Sequence, residues 1–338
     1  MTTARPTLRD VAAATGVSVA AASMALRGLP GVSDATRERV LEAARELRYE
    51  PNASARSLRT ASYRTMGLLL PSTGGTSPYY AEFAFGVVDA AHARGWSVIL
   101  LPRPAADAPA AAHVDGFVII DAAAGDAAVD ALLDDGRPVV SGERVARAVP
   151  SLVASVTADH ASATVELLDH LSAAGAARIA ALLPPADTAW GAEVAEAHRA
   201  WCAQRGLSAL MTTIGFEPDA REVEAATRRL LEDAAVDAIL TVPSGTAGPV
   251  AAAAARDGRR VGDDLLLAAY VDEPALSLLT PQVTALDLHE REHGARCAAE
   301  LIDALSGAEL GAAPDVAPGT LRPTLVARAS TREGRPRP

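Results

Sequence analysis

His289-Glu290-Arg291-Glu292-His293 has the spacing H-E-x-x-H. On a helix the two imidazoles would share a face and could hold Zn²⁺, with Glu290 as the base that activates a bound water. Such a site needs a third ligand, and the next downstream carboxylate, Glu300, fits no firm spacing. The motif follows a strand-like stretch, Thr284 to Leu288, and stands at the start of a helix. Other chemical candidates are weaker. Gly74-Gly75-Thr76 follows an apolar run, but no Lys-Ser/Thr completes a phosphate loop. Asp134-Asp135 and Asp263-Asp264 read as solvated carboxylates near turns. No Ser, His and Asp set has the local context of a nucleophile elbow. The expectation is no catalytic residue, no metal and no cofactor.

A different chemistry, the reading of base pairs, is suggested by Thr7 to Gly28, TLRDVAAATGVSVAAASMALRG. Thr7 is a good N-cap, with Asp10 near the positive end of the helix it starts. Leu8, Val11 and Ala12 share one face, and Gly16 can take the left-handed conformation that ends a helix. Ser18 then caps a second helix running to about Leu26. Two short helices joined by a tight Gly-containing turn form a helix-turn-helix, whose second helix enters the DNA major groove. The same pattern also fits an ordinary helical hairpin. Ser33 caps a third helix, with Val40, Leu41, Ala44 and Leu47 spaced to close a small core. After Pro51, Asn52 can cap a short helix carrying Arg56, Leu58 and Arg59. A leucine flanked by arginines suits a minor-groove wedge: the apolar tip unstacks a base step while the cations hold phosphates.

Over residues 7 to 60 the chain resembles, in order and spacing, the DNA-binding headpiece of the lactose-repressor family of bacterial transcription regulators. The resemblance includes VSDATRERVLEAARELRYEPNASARSLRT. It implies that Val19, Ala20 and Met24 are the base-reading positions. Family members often place Arg, Gln, Tyr or Thr there. These three side chains have no hydrogen bond to offer and touch only apolar groups such as thymine methyls. Specificity is then expected from Leu58, from DNA deformability and from backbone contacts by Ser18, Ser23 and Arg27, with Thr7, Asn52, Arg56 and Arg59 completing the interface.

Charge divides the same way. The net charge is −11. Residues 1–64 hold ten Arg against six acids, whereas residues 65–338 hold twenty-one Arg against thirty-six acids. The cationic part is confined to the headpiece, where phosphates would be met, and the acidic remainder is repelled from DNA. The chain has no Lys, so every basic contact falls to Arg. Cys202 and Cys297 are expected to be buried free thiols. No apolar run reaches membrane-spanning length without charges, and the N-terminus has no apolar leader, so a cytoplasmic protein away from membranes is expected.

Beyond the polar stretch Thr60 to Arg64 the pattern becomes βα. Expected strands are Met66–Leu70, Trp96–Leu101, Val114–Ile120, Pro138–Val140, Arg178–Leu183, Ser208–Ile214, Asp237–Val242 and Leu265–Ala269. Expected helices cover about Tyr79–Arg94, Ala127–Asp134, Ala161–Ala174, Gly191–Gln204, Glu222–Glu232 and a run near Ala251. The fold class is a small all-α headpiece plus an α/β two-lobe core with parallel sheets. The domains are residues 1–50, a hinge helix and linker at 51–64, and a core at 65–338. The resemblance extends over nearly the whole chain, through TPQVTALDL and LRPTLVARAST, and weakens between Leu101 and His113. It implies a periplasmic-binding-protein-like core with chain crossings near 157–160, near 282–287 and near the C-terminus. It also makes the H-E-x-x-H segment the first turn of a core helix.

By that resemblance an effector lies in the cleft between lobes, at the C-terminal ends of strands. Ser77-Pro78-Tyr79-Tyr80 stands where many members have Asn-Pro-Phe-Phe. Asp159 follows the first crossing, and Trp190 stands near a usual arginine. Pro243-Ser244 replaces a frequent Asn-Asp, and Val271-Asp272 replaces an Asp-Asp pair beside Tyr270. The candidate effector residues are therefore Tyr79, Tyr80, Asp159, Trp190, Tyr270 and Asp272, although the aromatics suit core packing as well. The polar anchors of sugar-binding members are mostly missing, which leaves a more apolar ligand, or none. The expected protein is a homodimeric regulator, most simply a repressor, that binds pseudo-palindromic double-stranded operator DNA under control of an unknown small molecule. An alternative is the same regulator with a core answering to a partner protein or to nothing. A solute receptor would share only the core, and a zinc peptidase would rest on one short motif. No heptad tail follows Gly307, so a coiled-coil tetramer is not expected.

Overall fold

The computed structural model describes residues 6–26, 28–49, 62–72, 77–103, 112–216, 218–310 and 320–331. The chain divides into two compact units, Met1–Arg64 and Thr65–Pro338.

In the first unit, helices α1 (Leu8–Thr15), α2 (Val19–Leu26) and α3 (Asp34–Glu46) are set by local chemistry. The Asp10 carboxylate accepts from both the Thr7 N–H and hydroxyl at 2.7 Å, tying off the start of α1. These hydrogen bonds hold the exposed Asp10 carboxyl below its usual range. Gly16, at φ 66°, ends α1 in the left-handed region that side-chain-bearing residues rarely enter. The Ser18 hydroxyl accepts from Ala21 N–H, and that of Ser33 from Thr36 N–H. The buried core is Val11, Ala12, Ala22, Ala25, Val40 and Ala44. Small side chains let three short helices approach closely. Leu41 lies outside this core, at 36% exposed. Helix α3 instead turns its Val40–Ala43–Ala44 face inward.

The second unit holds two sheets. The first is five-stranded and parallel, in the order β2-β1-β3-β4-β5. Its strands are β1 (Thr65–Leu69), β2 (Ser97–Leu100), β3 (Gly116–Ile120), β4 (Val139–Gly142) and β5 (Leu152–Val156). Helices α4 (Pro78–Ala93) and α5 (Ala127–Asp134) lie between them in sequence. Helix α6 (His160–Ala173) then leads into a six-stranded sheet, ordered β11-β10-β9-β8-β6-β7. Its strands are β6 (Ile179–Leu183), β7 (Leu210–Thr213), β8 (Ala238–Thr241), β9 (Leu266–Ala269), β10 (Thr284–Asp287) and β11 (Thr324–Val326). Helices α7 (Ala189–Gln204), α8 (Ala220–Leu231) and α9 (Ala247–Arg256) connect them. Among the described strands only β11 pairs antiparallel. Strands of the first sheet that read as unbroken apolar runs, such as β3, are buried along their whole length.

The last helix, α10 (Glu290–Leu310), returns to the first lobe and lies against α4, β4 and β5. Its approach to α4 is close enough that only glycine fits. A Cβ at Gly86 would sit 2.0 Å from the Arg291 carbonyl oxygen, and one at Gly294 would sit 2.0 Å from that of Phe83. The chain thus passes between lobes at 157–159, at 288–289 and at 322–323. Ala158 bridges Leu321 in the first and third passages. The second passage falls after β10, not within 282–287, because Thr284–Asp287 is hydrogen-bonded into the second sheet.

Candidate functional site

Helix α2 carries the three apolar residues expected to read bases. Val19 and Ala20 are exposed, while Ser23 and Met24 are half-buried. Ala22 and Ala25 on the opposite side are buried against α1 and α3. Thr7 and Ser18 are exposed, and both cap helices. Arg37 donates to the Leu29 carbonyl at 2.9 Å, fixing the turn beyond α2. Arg27, Asn52, Arg56, Leu58 and Arg59 lie outside the described residues.

A cavity of about 470 Å³ opens between the lobes of the core. Its walls come from residues just past strand ends. Asp121 follows β3, Glu143 follows β4, His160 follows β5, and Val271 and Glu273 follow β9. Tyr79 and Tyr80, Trp190 and Phe216 supply aromatic surface. This is where open parallel sheets leave free backbone ends and a crevice. Asp121 and Glu143 hold φ of 49° and 76°, in the left-handed region unfavourable to residues with a Cβ. Strain of this kind collects at ligand sites.

The first lobe supplies a polar wall. Tyr80 donates to Asp121 Oδ2 at 2.7 Å. Burial, and secondly the charge of Glu143, push the Asp121 carboxyl up to about 7. Glu143 Oε1 accepts from the Ala158 N–H at 3.0 Å. His293 Nε2 lies 2.8 Å from the Val156 carbonyl and so carries the proton. Its Nδ1 therefore accepts from Tyr79, at 3.1 Å. Burial holds the His293 imidazole below its usual range, in keeping with a neutral ring.

The second lobe supplies aromatic surface. Trp190 meets Phe216 edge-on at 5.9 Å and stacks with Tyr270 at 6.4 Å. His160 lies between lobes, with Nδ1 2.9 Å from the Tyr270 hydroxyl and Nε2 3.0 Å from Glu143 Oε1, off-line for a hydrogen bond. Glu273 Oε1 accepts from the Ser244 hydroxyl and from the Gly245 N–H. Ser77 and Ser244 meet across the cleft at 3.2 Å, Ala124 N–H donates to the Asp187 carbonyl at 2.8 Å, and Arg144 pairs with Glu193. The lobes are closed on one another.

Of the expected effector residues, Tyr79, Tyr80 and Trp190 line this cavity. Asp159, Tyr270 and Asp272 do not. Asp159 caps α6, accepting from Ser162 N–H at 3.0 Å. Tyr270 is fully buried behind His160. Asp272 is turned away into a two-pronged ion pair with Arg328 at 2.7 and 2.8 Å. Its neighbour Glu273 faces the cavity instead. Asp121, Glu143, His160, Phe216 and Glu273 are lining residues not singled out from sequence. Asp121 and Glu143 stand immediately after strands, and His160, Phe216 and Glu273 follow one within four residues. The wall is accordingly more polar than expected.

The H-E-x-x-H residues are separated by the start of α10. His289 precedes the helix at φ 57° and lies 2.9 Å from Thr324 Oγ1, whereas His293 is buried among the contacts above. Among the described residues, no group of three or more His, Cys, Asp or Glu is arranged to hold a metal ion. Cys202 and Cys297 are buried and free, and no described helix is long and apolar enough to cross a membrane.

A helix-turn-helix unit followed by a two-lobe α/β core with a ligand-sized cavity defines a DNA-binding regulator that senses a small molecule. Residues 7–52 match the family model "Bacterial regulatory proteins, lacI family", and residues 168–331 match "Periplasmic binding protein-like domain". The chain thus joins the DNA-binding domain of the lacI family of regulators to a periplasmic-binding-protein-like domain. It is 29% identical to the transcriptional regulator CelR of Thermobifida fusca, over 90% of this chain and 93% of that one. It is 28% identical to the ribose operon repressor of Halalkalibacterium halodurans, over 83% and 85% of the two chains. Among solved structures, the CelR–cellobiose complex superposes with a TM-score of 0.69 at 26% identity, covering 96% of this chain and all of that one. The lac repressor dimer bound to operator and anti-inducer has the same fold, with a TM-score of 0.80 at 22% identity over 97% and 99% of the chains.

Proposed function

We propose that this protein is a homodimeric repressor that binds a pseudo-palindromic operator in the cytoplasm and is controlled by a small molecule held between its lobes. The observation that carries the reading is the cavity at the strand ends, lined from both lobes. Its volume is that of a small-molecule site. Relatives named as repressors and a relative solved with cellobiose support the same view. Phe85 and Val88 on α4, Leu100 on β2 and Leu278 are exposed apolar residues suited to meeting a second copy. Val19, Ala20 and Met24 touch bases, and Leu58 between Arg56 and Arg59 acts as the minor-groove wedge. A ligand that favours the closed lobes changes DNA affinity by shifting the closed population.

Selection of the full chain on random duplex DNA tests this. The expected product is a two-fold operator bound by the full chain, while the fragment from Thr65 onward binds no DNA. Operator binding by that fragment would refute the assignment. Leu58→Ala is expected to weaken operator binding far more than binding to random DNA. Equal losses on both would rule out the wedge.

A further inference from the structure

The cavity carries more acidic than basic groups: among its described lining residues three carboxyl groups face one imidazole, that of His160. Asp121, Glu143 and Glu273 all line it, and each is at most 9% exposed. Among the described residues no Arg lines it, and the chain contains no Lys. Residues 73–76 and 217, outside the described set, add no cation in sequence. The nearby Arg144 is paired with Glu193, and Arg328 with Asp272. Each of the three carboxylates engages protein through one oxygen: Asp121 Oδ2, Glu143 Oε1 and Glu273 Oε1. The second oxygen of each has no hydrogen-bond partner among the described residues. Carboxylates withdrawn from water are costly unless a cation or further donors meet them.

Unpaired nitrogens on the same walls point to a missing molecule independently. The Trp190 indole N–H has no hydrogen-bond partner among the described residues, although the residue is only 8% exposed. His160 Nε2, on a side chain that also lines the cavity, lies 3.0 Å from Glu143 Oε1 but makes no hydrogen bond among the described residues. Beside them, Trp190, Phe216, Tyr79 and Tyr80 offer ring faces of the kind that attract cations and flat bodies.

We infer that the effector is a small organic cation, an amine or guanidinium joined to a ring or short apolar body. Its charged end meets Asp121 and Glu143, and its body lies against Trp190 and Phe216. This rests on the cavity being the effector site. A neutral sugar would engage the free oxygens but leave their charge unmatched. An anion would be repelled.

Calorimetry on the full chain at about pH 8, where amines are protonated, separates these cases. The probes are phenethylamine and agmatine, set against phenethyl alcohol, the neutral isostere of the first, and cellobiose. At least one amine is expected to bind at least about tenfold more tightly than phenethyl alcohol and cellobiose. Glu143→Gln and Asp121→Asn are each expected to reduce amine affinity at least about tenfold, and ligand-free melting curves establish that both variants fold. Binding of cellobiose or phenethyl alcohol that is lost in Trp190→Ala, with no binding of either amine, would overturn the cation and leave the effector site standing. If no probe of either charge class binds in a Trp190-dependent way, the cation and the effector site both fall. Amine binding unaffected by Glu143→Gln and Asp121→Asn would also overturn the inference.

Discussion

The two lobes enclose one cavity but are built differently. The second lobe is continuous from α6 to β10, apart from β11, and gives the cavity mainly flat apolar surface. The first is assembled from two distant stretches of chain, with α10 returning after the whole second lobe to lie on α4. It gives the cavity strained, buried carboxylates. The lobe closed by a late segment depends on a tight helix contact. The continuous lobe depends on ordinary strand and helix order. Two of the three cavity carboxyl groups and the tight helix contact therefore fall on the same lobe.

The hardest test of that contrast is Gly86→Ala. The added carbon would lie 2.0 Å from the Arg291 carbonyl, so α4 and α10 would have to part. A loss on the order of 4 kcal/mol in denaturant unfolding of the core is expected. Gly191→Ala in the second lobe meets the Thr188 hydroxyl at 3.0 Å and the Pro185 carbonyl oxygen at 3.3 Å, far looser contacts than at Gly86, and is expected to cost far less.

Next is the pH dependence of the first lobe. Asp121 titrates at about 7 in the fold and near its ordinary value when unfolded, so the folded chain holds an extra proton between those limits. Stability should then fall as pH rises from about 4 to about 7. Asp121→Asn removes this slope and should be more stable than the parent at neutral pH by on the order of 3 kcal/mol. Glu290, also raised to about 7, titrates in both proteins and cancels in the difference. Equal slopes in thermal melts would show that Asp121 is not withdrawn from water.

Asp272→Ala should act on the second lobe alone. It leaves Arg328 without its partner and is expected to cost about 2 kcal/mol, with little change in amine binding. A large loss of binding at equal stability would return Asp272 to the cavity. The smallest effect is expected from Arg144→Ala, which removes an exposed pair across the cleft. Stability should shift by less than about 1 kcal/mol, and the shift should shrink with added salt.

Local chemistry was readable in the sequence; chemistry assembled across strands was not. Thr7, Gly16, Ser18 and Ser33 each act within a few residues, and each sits at a helix end as expected. Tyr79, Tyr80 and Trp190 stand out as large aromatics and reach the cavity. Asp121 and Glu143 follow separate strands, and nothing in their neighbours in sequence says that β3 and β4 are adjacent. Asp272 pairs with Arg328 while its neighbour Glu273 faces the cavity, because one residue on extended backbone reverses the direction of a side chain. Strand β5 escaped notice because Leu152–Val156 mixes small and apolar residues without a clear period.

The three passages between lobes have a mechanical meaning. Ala158 is bridged to Leu321, and His289 reaches Thr324 beside the paired residues Asp287 and Thr324. A single tether would let two bodies wobble about every axis. Three tethers laced side by side make a strap that resists torsion and shear but yields to bending. Motion of the lobes is thereby confined to one coordinate, opening and shutting. The cavity lining decides which molecule tips that coordinate, and the strap decides what the tipping does. Substitutions in the lining can thus retune the signal received while the stroke delivered stays the same.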